Sequence, residues 1–121
     1  MDRTRFIEHR GARILLLDYS GMKEPQDALR EIEKSRRIVA RQPENSLRTL
    51  TYVKDARYNA EVIQAMKELA AHNKPYVKAA AVVGMSGMHR AVYSTLLLFT
   101  RRNIRAFDGL DEAKDWLATQ E

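Results

Sequence analysis

The stretch Ile14-Leu15-Leu16-Leu17 sets four bulky apolar side chains in direct succession. In an extended chain, neighbouring side chains point to opposite faces, so such a run is buried only where both faces of a sheet are covered. The segment Arg13 to Tyr19 therefore reads as a central strand. Thr4 to Arg10, just before it, alternates polar and apolar residues, and Gly11-Ala12 marks a turn between the two. That spacing predicts a hairpin and an antiparallel N-terminal edge.

Beyond this hairpin, strand-like and helix-like segments take turns. Pro25 to Gln42 carries Ala28, Leu29, Ile32 and Val39 on one helical face and charges on the other. Pro25 suits a first turn, where its missing N–H would be unpaired in any case. Leu47 to Lys54 holds Thr49, Thr51, Tyr52 and Val53, residues that favour strands. Asp55 to Tyr58 reads as a loop and Asn59 as the N-cap of a helix with Val62, Ile63, Met66, Leu69 and Ala70 at helical spacing. Tyr76 to Gly84 is a further strand. Ser86 opens a helix to about Arg101, and Asn103 to Phe107 is a last short strand. A closing helix starts at Gly109-Leu110, with Asp111 and Glu112 at the positive end of its dipole. Strands joined by single helices return parallel. The expected fold is α/β: a mixed, mostly parallel sheet of about five strands with about four helices, forming one domain over residues 1–121.

Composition narrows the function classes. The 121 residues include no cysteine, which excludes disulfides and thiolate chemistry and leans towards a reducing, cytoplasmic compartment. No apolar run approaches the roughly 20 residues of a membrane-spanning helix, and Phe6-Ile7 is too short for a signal-peptide core. Integral membrane association is therefore not expected. The net charge of +5 is spread among interleaved acids, with no basic stripe set among exposed aromatics, so no nucleic-acid partner is expected.

Several segments taken together resemble a known family. They are Ile14-Leu-Leu-Leu-Asp-Tyr-Ser-Gly21, Asn45-Ser46-Leu47 with Leu50-Thr51, His72-Asn-Lys-Pro-Tyr-Val-Lys78, Ala81-Val-Val-Gly84, Arg102-Asn103-Ile104 with Phe107, and Glu112-Ala-Lys-Asp-Trp-Leu117. In this order they resemble the SpoIIAA-like, or STAS-like, bacterial proteins over nearly the whole chain. The resemblance implies a cytoplasmic domain that binds protein partners, as anti-anti-sigma factors and transporter tails do. Some such domains bind nucleotides or other small ligands, and the fold is also similar to that of CRAL-TRIO lipid-binding domains. The phospho-switch of the family carries Ser or Thr at the start of a helix after a central strand. The matching stretch here, Asp55-Ala56-Arg57-Tyr58-Asn59, keeps the Asp and lacks the hydroxyl residue, which argues against that switch.

Two further features bear on function. Gly84-Met-Ser-Gly-Met-His-Arg90 joins a strand to a helix, where backbone N–H groups and the helix dipole can meet an anion. Ser86, Gly87, His89 and Arg90, with Asp55, Tyr58 and Asn59 from the neighbouring loop, form a candidate site for a small anionic or lipid ligand. The alternative is an ordinary serine N-cap. Secondly, the helix from Gly87 to Arg101 is apolar beyond its inward face, at Tyr93, Leu97 and Leu98, with Arg101 beside them. This surplus suits a homodimer or other protein interface, unless a neighbouring helix covers it.

No pair among His9, His72 and His89 has metal-ligand spacing, and no cofactor motif is present. A Ser86–His89–Asp55 hydrolase arrangement lacks the nucleophile-elbow pattern, so no catalytic residue is assigned. The sequence thus points to a non-enzymatic regulatory or interaction module, with a small-ligand carrier as the alternative and a small hydrolase as a third reading.

Overall fold

The computed structural model describes residues 2–85 and 104–120. Strands β1 (Thr4–His9) and β2 (Ala12–Asp18) lead into α1 (Pro25–Ala40), β3 (Leu47–Tyr52), α2 (Ala60–Asn73), β4 (Val77–Val83), β5 (Ile104–Phe107) and α3 (Leu110–Thr119). The five strands lie in the order β1-β2-β3-β4-β5. β1 is antiparallel to β2, and every later neighbour is parallel. The expected mixed sheet is therefore present, with three helices among the described residues. The helix expected from Ser86 to Arg101 lies outside them.

Local chemistry explains the elements. The hairpin turns on Arg10 (φ 52°) and Gly11 (φ 80°), the two positive values a type I′ turn requires and the twist that matches paired strands. Pro25 occupies the first turn of α1. Asn59 caps α2, its Oδ1 accepting the Val62 N–H at 2.8 Å. α1 stops two residues short of the expected Gln42, where the Arg41 N–H closes onto the Ile38 carbonyl and the Gln42 N–H onto that of Val39.

Crossovers stepping in one direction with one handedness lie on one face of a sheet. α1 and α2 accordingly share a cluster with Leu15, Leu17, Leu47, Val77 and Ala80. Among the described residues, α3 alone packs on the opposite face, over Ile14, Leu16, Leu50, Ala79, Ala81 and Val83, and it touches every strand. At about 1.5 Å per residue its ten residues reach roughly 15 Å, just short of the width of five strands. The alanines of β4 let it approach closely. β4 reaches this arrangement through a bulge. Leu47 pairs with Val77 but Arg48 pairs with Ala79, so Lys78 is the extra residue. In an unbulged strand, strict alternation would aim Lys78 at the α1/α2 core.

Two polar devices fix the layers. Between β1, β2 and α1, the Tyr19 hydroxyl meets Ser35 Oγ at 2.8 Å, Ser35 meets Thr4 Oγ1 at 2.9 Å, and Thr4 donates to Glu31 Oε2 at 2.6 Å. A carboxylate only accepts, so each hydroxyl in turn spends its proton towards Glu31, and Tyr19 donates to Ser35. Burial pushes the Tyr19 hydroxyl well above the usual phenol range. On the other face, Asp115 of α3 accepts from His9 Nε2 at 2.7 Å and Arg10 Nε at 3.1 Å, clasping α3 to the hairpin. The His9 hydrogen bond, with Arg10 nearby, holds the Asp115 carboxyl below its ordinary value.

At the C-terminal ends of the central strands, backbone bonds continue past the strands. Gly21 N–H donates to the Lys54 carbonyl at 2.9 Å, Val53 N–H to the Val83 carbonyl at 2.9 Å, and Arg57 N–H to the Met22 carbonyl at 2.8 Å. Gly84 is pressed against this stitching at φ 91°. A β-carbon there would lie 2.7 Å from the Lys54 backbone nitrogen.

Three outcomes follow for stability. Ser35→Ala strands the buried Tyr19 hydroxyl, while Thr4 keeps its bond to Glu31, and should cost about 1–3 kcal/mol, read as a lower denaturant midpoint with an unchanged slope. Gly84→Ala combines positive φ with a backbone clash and should cost more than about 1 kcal/mol in the same assay. Because the Asp115 carboxyl is lower in the folded state, its contribution is complete above the unfolded carboxylate value and is lost as pH falls through the folded one. Asp115→Asn should therefore flatten the loss of stability between about pH 5 and pH 3, and an equally steep fall would contradict the clasp.

Candidate functional site

Open parallel sheets bind ligands beyond the carboxyl ends of their strands. Here that edge carries a cleft of about 690 Å³ lined by Tyr52, Lys54, Asp55, Ala56, Val83, Gly84, Met85, Asp108, Gly109 and Leu110. Three loops build it, those following β3, β4 and β5. The close contact of Gly84 with Lys54 brings the first two together, and the Asp108-Gly109 step into α3 closes the third side.

The lining divides by chemistry. Tyr52, Ala56, Val83, Met85 and Leu110 form an apolar floor, and Tyr52, Val83 and Leu110 belong to or pack on the α3-side cluster. Lys54, Asp55 and Asp108 are exposed at the rim. Asp55 sits in the left-handed region at φ 60°, and its carbonyl accepts from Lys23 Nζ at 2.5 Å. The loop is thus held by its backbone while the Asp55 carboxylate remains at the surface.

Of the candidate ligand residues, Asp55 lines this cleft. Asn59 is spent on capping α2. Tyr58 is half-buried against the α1/α2 cluster and is not among the lining residues; burial pushes its hydroxyl well above the ordinary phenol value. Ser86, Gly87, His89 and Arg90 lie outside the described residues, as do the interface candidates Tyr93, Leu97, Leu98 and Arg101. Met85, from the segment between β4 and the helix expected after it, lines the cleft. The sequence reading missed Tyr52, Lys54, Gly84, Asp108 and Leu110. The available signal was positional, since each lies at or just beyond the C-terminal end of a strand.

Among the described residues, no group of three or more His, Asp or Glu is placed to hold a metal ion. No described helix is long and apolar enough to cross a membrane.

No protein-family model matches the chain, and no curated protein does. A solved structure does: an uncharacterised protein of the DUF3478 family from Shewanella loihica PV-4, described as having a SpoIIAA-like fold. It superposes with a TM-score of 0.73 over 94% of this chain and 91% of that one, at 13% sequence identity. Likeness at that identity concerns architecture, and the architecture of this chain is SpoIIAA-like.

Proposed function

We propose that the protein is a non-enzymatic regulatory or interaction module, and that it works by holding a small ligand or a short segment of a partner in the cleft beyond β3, β4 and β5. The observation that carries this reading is the division of that cleft into an apolar floor and a sparse charged rim. Binding sites gain affinity from apolar area and orientation from a few polar groups, in volumes of roughly 300–1,000 Å³. The described rim carries one lysine and two aspartates, so it favours an amphipathic occupant over a bare anion. The size of the cleft suits a small-molecule carrier as a second reading.

A fragment screen followed by NMR tests the site. Amide shifts should cluster on Lys54, Gly84 and Gly109, and the Met85 methyl should respond. Tyr52→Ala should weaken the best fragment at least tenfold while the unfolding transition stays cooperative. Shifts scattered over the surface, or affinity indifferent to Tyr52, would remove the cleft as the working surface. Native mass spectrometry of freshly purified protein separates the two readings: a co-purifying small molecule supports the carrier.

A further inference from the structure

We infer that the outer edge of β1 is a self-association surface, on which a second copy of this chain adds its own β1 antiparallel. Among the described residues, β1 ends the sheet, with β2 on one side only. The Asp18 N–H donates to the Arg3 carbonyl at 3.0 Å, and the register places Arg3 opposite Asp18. Bonded pairs in an antiparallel ladder recur at every second residue. Arg5, Ile7 and His9 therefore turn their backbone groups towards β2, while Thr4, Phe6 and Glu8 turn theirs outwards. On the far side of β2, Tyr19 N–H bonds to the Tyr52 carbonyl, as this alternation requires. Thr4 is 3% exposed, so its outward groups are covered. Phe6 is half-buried and Glu8 exposed, which leaves four donors and acceptors at the edge.

A two-fold axis at Ile7 satisfies them all. Phe6 then exchanges both backbone bonds with the partner's Glu8, and Glu8 with the partner's Phe6. Ile7 meets the partner's Ile7 as a non-bonded pair, the arrangement in which opposed side chains lie closest. Edge strands are normally guarded by charge. The charges here become complementary in this register. Glu8 comes opposite the partner's Phe6, and in each copy the Arg13 guanidinium lies 3.6 Å over that Phe6 ring. Arg5 comes opposite the partner's His9, whose ring is bonded to Asp115 within each copy. A second copy thus supplies matching backbone groups, an apolar centre and opposite charge. The product is one continuous sheet across two chains, and it leaves free the cleft beyond β3, β4 and β5, away from the β1 edge.

Proline is tolerated at an edge position whose N–H faces outwards. Glu8→Pro therefore removes a donor from each copy and leaves the β1–β2 ladder intact. Wild type should sediment at twice the 14.0 kDa chain mass, and Glu8→Pro as a monomer with a cooperative unfolding transition. The chain has no cysteine, so Ile7→Cys introduces the sole thiol. Mild oxidation should link it into a covalent dimer at least tenfold faster than Arg5→Cys, which is not opposite itself. A monomeric wild type, a dimer indifferent to Glu8→Pro yet lost with Leu97→Glu and Leu98→Glu, or equal cross-linking of the two cysteine variants would each overturn the inference.

Discussion

Strand β2 is closed in on every side. It is paired on both edges, antiparallel to β1 and parallel to β3, and Ile14, Leu15, Leu16 and Leu17 are all buried. Alternate members of that run demand opposite covers. Leu15 and Leu17 need α1 and α2, whereas Ile14 and Leu16 need α3. Hydrophobic burial of the run, worth roughly 1.5–3 kcal/mol for each side chain, is available only when all three described helices are docked. The last element of the chain is thereby tied to the second, and the small helix α3 matters far more than its ten residues suggest.

The placement of the cleft follows from the same layering. β3 and β4 run parallel and end together, so their following loops emerge side by side, and α3 begins immediately after β5 on the opposite face. Gly84 accepts a position that any side chain would obstruct, and this lets the loops converge. The buried hydroxyl chain from Tyr19 to Glu31 performs a different task on the other face. Its one-way order of donors fits a single seating of β1 against α1, a specificity that apolar contact alone does not supply.

Much of this was legible in local chemistry. The hairpin, the Pro25 start and the Asn59 cap follow from residues whose preferred backbone states are narrow. The two-sided burial of β2 follows from the absence of alternation. The bulge was not legible, because Val77, Ala79, Ala81 and Val83 alternate perfectly on paper. Only the need to keep Lys78 out of the α1/α2 core breaks that pattern. The cleft was legible only in part. Asp55 and Met85 were visible as loop residues beside strands, but Tyr52, Asp108 and Leu110 become neighbours through strand order, which pairwise spacing along the chain does not encode.

The bulge also changes which lengths of chain this fold tolerates. Removing Lys78 would leave Leu47 opposite Val77 and Arg48 opposite Ala79 in uninterrupted pairing, with every later residue of β4 on the side it already occupies. Removing Ala80 would instead turn Ala81 and Val83 towards α1 and α2 and present Val82 to α3, inverting the rest of the strand. One position in β4 is thus a free comma in the sentence, while omission of its neighbours reverses the meaning of everything that follows.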